Sequence, residues 1–177
     1  QGGATGVDNR RRQIVNCTGL QITYHFVNKL DLPMFLNVAV IAPKHNSGVP
    51  GITDFFRGDD GSRGANFSDA LSALQFHYYP INTDKYAVVR HHRQQLGSNT
   101  DGVNYNSDAG PGNWISKRQY IPINRQLRYE TAIATSCSTP IYICWWLDTM
   151  DSPGGVASTV GAGLMSEMHT MFFTDVL

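Results

Sequence analysis

The sequence has few charged residues and few cysteines, and it contains no long apolar run. Charged residues make up 16% of the 177 residues, below the ~25% of an average globular domain. Low charge together with 11% aromatic residues excludes a disordered chain, which would be rich in charge and poor in aromatics. The same composition suggests a largely neutral surface, part of which neighbouring molecules cover.

The three cysteines, Cys17, Cys137 and Cys144, form no CxxC pair. An odd number without metal-site spacing argues against a disulfide scaffold and indicates free thiols in a reducing compartment. No stretch reaches the roughly 18 apolar residues of a membrane span. We therefore expect no membrane segment, and we find no signal-peptide pattern.

Motifs for catalysis and for metal or phosphate binding are also missing. His91 and His92 are adjacent and would point to opposite faces of a strand, so they cannot easily chelate one metal, and no H-x-H occurs. The Gly-rich residues 153–163 lack the Lys-Ser/Thr of a phosphate loop, and no nucleophile elbow is present. We expect no cofactor, no metal and no enzymatic activity; a cupin-like enzyme would need the absent metal motif.

The charges are unevenly distributed along the chain. The first 128 residues hold all fourteen Lys and Arg and nine of the fourteen Asp and Glu, which gives +5 there and −5 in the remainder. Residues 1–12 combine a Gly-rich stretch with Arg10, Arg11 and Arg12. We interpret residues 1–12 as the residual part of an N-terminal arm or linker whose arginines neutralise nucleic-acid phosphates.

Strand patterns occur along the whole remaining chain. They combine β-branched and aromatic residues with clusters of Gly, Pro, Asn, Asp and Ser between them, and they predict roughly eight strands. The predicted strands cover residues 13–26, 34–42, 75–79, 85–96, 117–130, 131–135, 141–148 and 167–176.

A single short helix is predicted over residues 67–75, where Ser68 or Asp69 could cap the N-terminus. Three long loops, 43–66, 97–113 and 149–165, are expected to carry contacts or function. About eight strands with long end loops predict an all-β fold, an eight-stranded jelly roll made of two packed four-stranded antiparallel sheets. We expect one shell domain over residues 13–177.

The clearest strand is "KRQYIPINRQLRYE", residues 117–130. Its alternation places Ile121, Ile123 and Leu127 on the buried face, whereas Pro122 marks an edge or a bulge because it has no backbone donor. We expect its cations to make subunit or genome contacts; they include Arg118, Arg125 and Arg128.

Other candidate contact residues lie on the strands predicted over residues 85–96 and 141–148, and one lies just before the strand predicted over 117–130. In "VRHHRQQ", Arg90 and His92 share one face, and His91 and Arg93 share the other. We predict nucleic-acid contacts for Arg90 and Arg93. One of the adjacent residues Trp145 and Trp146 should be buried and the other should meet a subunit or a base; the predicted subunit contacts include Trp114 and Trp146.

Three stretches together resemble a known family. "INTDKYAVVRHHRQQLG" (81–97), "WISKRQYIPINRQLRYE" (114–130) and the terminal pair "YICWWLDTMDS" and "HTMFFTDVL" follow one another in this order. The order resembles the capsid proteins of small circular single-stranded DNA viruses that encode a Rep protein, circoviruses among them. The resemblance covers roughly residues 75–177.

The resemblance implies a jelly-roll coat protein that assembles with itself into a closed icosahedral shell of about sixty copies. It also implies a circular single-stranded DNA genome inside the shell, assembly in the host nucleus, and a host-cell receptor that touches the outer surface. In that family an arginine-rich arm binds the genome, and in this sequence Arg10, Arg11 and Arg12 are the candidate root of such an arm.

An alternative interpretation is a β-sandwich binding module of the lectin type. Asp101, Asn104, Asn106 and Asp108 lie in one loop and could supply the oxygen ligands that calcium prefers. Such a module would recognise a carbohydrate or a protein through its long loops.

Overall fold

Most of the described residues lie in strands. The computed structural model describes residues 13–30, 32–44, 55–58, 64–65, 73–98, 112–129, 137–149 and 163–175. The elements in chain order are β1 (Ile14–Asn28), β2 (Met34–Pro43), β3 (Phe56–Arg57), β4 (Gly64–Ala65), α1 (Ala73–Tyr78), β5 (Tyr86–Leu96), β6 (Trp114–Arg128), β7 (Tyr142–Thr149) and β8 (Gly163–Asp175).

The strands form two three-stranded antiparallel sheets, β6-β1-β8 and β5-β2-β7, together with the small pair β3-β4. The all-β prediction is therefore confirmed. The structure groups the chain into two compact units, one within residues 1–23, 117–141 and 167–177, the other within 24–116 and 142–166. One shell domain over residues 13–177 stays a prediction.

The first unit has a small core between β1 and β6. Val15, Cys17 and Leu127 are buried there, and the partly buried residues packed against them are Ile123, Tyr129, Cys137 and Ile141. The strict alternation of β6 explains this core, because its odd-numbered residues point inward while its even-numbered residues are exposed. The predicted burial of Ile121 and Leu127 is confirmed, and Ile123 is partly buried.

The second unit is built around β2, in which every residue except Phe35 is buried. β2 pairs with β5 on one side and with β7 on the other, so that Val38 lies opposite His92 and Trp145. An apolar run predicts such a central strand, because neither of its faces meets water. Its core collects Phe55, Phe56, Tyr86 and Trp146 around β2.

The two tryptophans of β7 have different partners in this unit. Trp146 is 7% exposed and packs edge-on against Phe55 and Phe56. Trp145 meets Tyr24 of β1, with 4.9 Å between the ring centroids. The prediction that one of the two rings is buried is confirmed by Trp146. Trp145 is half-buried, and its contact with a subunit or a base stays a prediction.

Residues 75–79 were predicted as a strand, and this prediction is wrong. They lie in α1 and the residue after it, where the Tyr79 amide donates to the Gln75 carbonyl at 2.8 Å. The helix predicted over 67–75 overlaps α1 only at its end, since residues 67–72 lie outside the described part. The strand predicted over 131–135 also lies outside it. The two-residue strands β3 and β4 were not predicted because they are too short to show a period.

Gly163 begins β8 at a place where a side chain would not fit. A Cβ there would overlap the ring of Phe26, which is 4% exposed, and would lie 2.8 Å from the Val27 carbonyl oxygen. We expect Gly163→Ala to lower the free energy of unfolding by about 1–3 kcal/mol, as overpacking does in a tight core. Urea denaturation measures this difference.

Gly97→Ala is the matched control for Gly163→Ala. A Cβ on Gly97 would meet its nearest neighbour at an ordinary 3.5 Å. We expect this variant to stay within about 1 kcal/mol of the native chain. Equal unfolding midpoints for the two variants would contradict the steric explanation.

Candidate functional site

The even-numbered face of β6 presents cations and aromatics to solvent. Arg118 and Arg128 are exposed on this face, while the odd-numbered Arg125 lies half-buried on the other face. The Arg118 guanidinium donates to the Gln21 Oε1 atom at 3.1 Å. Trp114 is 50% exposed and lies near the His25 ring, at 5.9 Å between centroids. The roles of these arginines and of Trp114 as subunit or genome contacts stay predictions. The exposed side chains among them are accessible to a partner.

The outer edge of β6 is closed to further strand pairing. Pro122 lacks a backbone donor, and Asn124 has φ 49°, which bends the strand. At the end of β6, Thr139 binds both the Arg128 amide and the Gln126 carbonyl, and Ser138 donates to the Arg128 carbonyl. The prediction that Pro122 marks an edge is confirmed, since β6 ends the sheet order among the described strands.

The opposite edge strand, β8, has none of these protections. It carries no Pro, Lys or Arg, and it ends the sheet on the other side among the described strands. Six of its large apolar side chains are 38–59% exposed: Leu164, Met165, Met168, Met171, Phe172 and Phe173. Natural proteins usually blunt an exposed strand edge with charges, prolines or bulges. β8 carries two acids, Glu167 and Asp175, but no Pro or Lys, so its edge is weakly protected and its apolar side chains form a surface for a partner.

An aromatic contact crosses the exposed sheet from one edge strand to the other. The Tyr120 side chain of β6 lies over Gly19 of β1, where a Cβ would overlap its ring. It reaches Phe172 of β8, with 5.8 Å between the ring centroids. The absence of a side chain at Gly19 therefore lets the two rings meet above β1, and Tyr120 stays 54% exposed.

The β5-β2-β7 sheet contains a buried polar network around Asp148, whose side chain is fully buried. The Asn37 amide donates to Asp148 Oδ2 at 3.0 Å, and the Arg93 guanidinium lies 3.5 Å from the same oxygen. Arg93 also donates to Asn37 Oδ1 at 3.1 Å. A buried carboxylate is stable only when it is paired in this way, so the network fixes the order of the three strands.

The network also holds α1 against the sheet. Arg93 donates to the His77 carbonyl at 2.7 Å, and its guanidinium lies 5.6 Å from the Phe35 ring centroid. The His77 Nδ1 atom lies 3.7 Å from Asp148 Oδ1, and both atoms are buried without a hydrogen-bond partner among the described groups. Asn37, Arg93 and Asp148 Oδ2 bind one another, and this arrangement is that of a structural ion-pair network.

The two cations predicted on β5 differ in their surroundings. Arg90 is exposed, whereas Arg93 is engaged in the Asp148 network. His91 and Arg93 both contact Asn37 Oδ1 and thus share a face, as predicted. Nucleic-acid binding by Arg90 and Arg93 stays a prediction, and Arg93 has an intramolecular role besides. Trp146 has little surface left for the predicted subunit contact, because its ring is buried.

Several candidate residues lie outside the described part of the chain. They are the arginine cluster Arg10, Arg11 and Arg12 and the calcium-loop candidates Asp101, Asn104, Asn106 and Asp108. Their predicted roles stay predictions.

Sequence reasoning missed Asp148 and Asn37 as network residues, and it missed the exposed apolar surface of β8. The signal for Asp148 was a lone acid at the end of an apolar strand. The signal for β8 was the occurrence of apolar residues at both even and odd positions, at Met168 and Phe172 as well as at Met171 and Phe173.

Burial makes two of the three thiols, those of Cys17 and Cys144, poor nucleophiles. Burial raises the pKa of Cys144 to about 11 and raises that of Cys17 as well, which keeps both as thiols at neutral pH. The expectation of free cysteines is confirmed, since none of the three forms a disulfide. In the described ranges, no group of three His, Cys, Asp or Glu could hold a metal ion. The described helix is too short to cross a membrane.

Protonation of His91 should make stability depend on pH. The His91 side chain is exposed as a whole, but one face of its ring stacks on Trp146 at 5.1 Å between centroids. The loss of water at the packed part of the ring, together with the charges of Arg93 and His92, lowers its pKa below 6.5. A histidine with a lowered folded pKa stabilises the protein above the unfolded pKa and loses this contribution as pH falls. We expect the melting temperature to drop between pH 7 and pH 5, and to drop less in His91→Gln.

His169→Gln is the control for this pH profile, because it removes a histidine from the exposed strand β8 instead. Thermal unfolding of the three chains across the pH range measures the slopes. An equally steep profile in His91→Gln and in the native chain would show that other groups govern the pH dependence.

The exposed surface of the β6-β1-β8 sheet is therefore the candidate functional site. It consists of the cationic edge strand β6, the contact between Tyr120 and Phe172 above Gly19, and the apolar edge strand β8. Its chemistry suits binding to other macromolecules. Comparison of the chain with models of protein families and with curated proteins found no match.

Proposed function

We propose that the chain is the capsid protein of a circovirus-like, Rep-encoding single-stranded DNA virus, and that it assembles with itself into a small closed shell. The observation that carries this proposal is the exposed apolar surface of β8. Single exposed apolar side chains are normal, but here six large ones follow one another along one edge strand, three on each of its faces, which marks an interaction surface. Assembly would cover this surface.

The pairing of the strands also supports a jelly roll. In that architecture the first strand pairs with the last and the second with the one before the last, as two nested Greek keys require. β1 pairs with β8 and β2 pairs with β7, which are the two outermost of these pairings. The order of the three sequence stretches that resemble circovirus capsid proteins agrees with this assignment.

The cations of β6 support a role in contacting nucleic acid or a neighbouring subunit. Lys117, Arg118, Arg125 and Arg128 lie on one edge strand, and β8 at the other end of the sheet has only acids, Glu167 and Asp175, as its formally charged residues. A sheet with one cationic and one acidic side can orient a subunit relative to a polyanion inside the shell.

Negative-stain electron microscopy of the purified chain tests the proposal, together with the ratio of absorbance at 260 and 280 nm after nuclease treatment. We expect uniform closed particles with protected nucleic acid. Empty closed particles would support the shell and leave packaging to residues before β1. A stable monomer or small oligomer would overturn the proposal, and a calcium-dependent ligand screen would then test the lectin-type alternative.

Replacing Arg118, Arg125 and Arg128 by Ala should reduce the nucleic acid held by the particles. If each arginine contacts one phosphate, the slope of log affinity against log salt for a single-stranded oligonucleotide should fall by about 2. Fluorescence anisotropy at several salt concentrations measures the slope. The triple Lys variant keeps the charge and serves as the control; particles with normal cargo from the triple Ala variant would rule out this role.

A further inference from the structure

The strand β8 is chemically self-complementary about its central residue, Met168. The four nearest positions on either side of Met168 carry matching chemistry at equal distances, and the fifth pair does not. Reading outward, the pairs are Glu167 with His169, Ser166 with Thr170, Met165 with Met171, Leu164 with Phe172, and Gly163 with Phe173.

Such a sequence fits the symmetry of two antiparallel strands. When identical strands pair about a two-fold axis through one residue, each position lies opposite the position equally far beyond the axis. With the axis at Met168, an acid faces an imidazole, hydroxyls face each other, and apolar side chains face apolar side chains. At the end of the pair Phe173 faces Gly163, whose Cβ position is covered by the Phe26 ring of the same chain, so this pair does not contribute to the complementarity.

The charged pair selects this register over its neighbours. Glu167 and His169 lie on the same face of β8, with 3.4 Å between Glu167 Oε2 and His169 Nε2. An axis through Met168 places Glu167 opposite His169 of the second copy. An axis through Glu167 would oppose two carboxylates, and like charges directly opposite each other destabilise a sheet. An axis through His169 would instead place Glu167 opposite the apolar Met171.

Among the described strands, none pairs with β8 on the side away from β1. The Thr18 hydroxyl of β1 donates to the Phe172 carbonyl at 3.2 Å, so this carbonyl faces β1. Because successive carbonyls of a strand point to opposite sides, those of Glu167, His169 and Met171 are directed away from β1. Met168, which is 59% exposed, would then lie opposite its own copy in a pair with closely approaching side chains.

We propose that a second copy of this chain docks on β8 by antiparallel strand pairing about a two-fold axis at Met168. This inference rests on the proposed self-assembly and adds the contact through which two copies meet. The other edge of the same sheet does not compete, because Pro122, Asn124 and the bonds from Ser138 and Thr139 close β6.

Disulfide trapping in the full chain tests the register. In the proposed pair the two Cα atoms at position 168 are about 4.5 Å apart, within the range of a disulfide. The two Cα atoms at position 164 would be roughly 27 Å apart, because eight residues separate position 164 from the residue opposite its own copy. Under mild oxidation, we expect Met168→Cys to form covalent dimers at least about tenfold faster than Leu164→Cys.

A mixture of two chains gives an independent measurement. Leu164→Cys mixed with Phe172→Cys should form the covalent heterodimer, because these positions face each other, whereas neither variant should dimerise quickly alone. The native chain with its three cysteines sets the background, and circular dichroism verifies that each variant is folded.

The outcomes separate this inference from the proposed function. Closed particles without rapid cross-linking at position 168 would overturn the β8 contact and leave the capsid proposal standing. Equal cross-linking at positions 164 and 168 would overturn the register and with it the inference. A chain that remains monomeric and forms no cross-link would overturn both.

Discussion

Arg93→Met should lower the free energy of unfolding by about 3–5 kcal/mol, although Arg93 lies on a strand whose side chains are partly exposed. Methionine keeps much of the apolar stem of arginine but cannot donate to Asn37 or to the His77 carbonyl. The carboxylate of Asp148, which is fully buried, would lose its guanidinium partner. Chemical denaturation followed by tryptophan fluorescence measures the loss.

Arg90→Met, the same substitution three residues earlier on β5, is the control. Arg90 is exposed, so its replacement should change the free energy of unfolding by less than about 0.5 kcal/mol. Adding Asp148→Asn to Arg93→Met should recover part of the loss, because the unpaired charge is then removed. A double variant whose loss equals the sum of the two single losses would contradict the coupling between Arg93 and Asp148.

Phe55→Ala should cost a similar amount, about 3–5 kcal/mol, through the cavity that it leaves. The Phe55 side chain is fully buried and touches three other rings, those of Phe56, Tyr86 and Trp146. The backbone of Phe55 is also held in place, because its carbonyl accepts a hydrogen bond from the Asn82 amide at 2.8 Å. Loss of Phe55 would therefore loosen the core on one face of the β5-β2-β7 sheet.

Thermal and urea unfolding measure the effect of Phe55→Ala, with Tyr78→Ala as the matched aromatic control. Tyr78 is 70% exposed, and its removal should change stability by no more than about 0.5 kcal/mol. If Phe55→Ala unfolds at the native midpoint, the aromatic cluster is not part of the core that holds this unit together.

The strands with a clear period were predictable from the sequence. The alternation around Ile121 and Leu127 predicted which face of β6 is buried, and Pro122 predicted its edge position. The apolar run of β2 predicted that β2 is the central strand of its sheet. In both cases the signal is local, because the side-chain period of a strand is set by the backbone itself. The bounds of these strands differ from the prediction by only a few residues.

The errors arose where distant residues decide the structure. Residues 75–79, "QFHYY", are aromatic enough for a strand, yet they form most of α1 and the residue after it. His77 of α1 contacts the sheet, because its carbonyl accepts from Arg93 and its ring lies near Asp148. The bond between Asn37 and Asp148 joins residues 111 positions apart. No local pattern contains such a pairing, so the polar network could not be derived from sequence alone, nor could the inward placement of Arg93.

The closed edge of β6 has a consequence for how far any assembly can grow. A sheet that is open at both edges can add copies without limit and become a fibre. Here one edge is terminated by Pro122, by the bend at Asn124 and by the bonds from Thr139, so within the described part of this sheet the edge left for strand pairing is β8. Once two copies have joined there, no open edge of this sheet is left, and sheet extension stops at two. Growth beyond two copies of the proposed pair has to use surfaces other than this sheet, so the β6-β1-β8 sheet does not template an amyloid-like polymer.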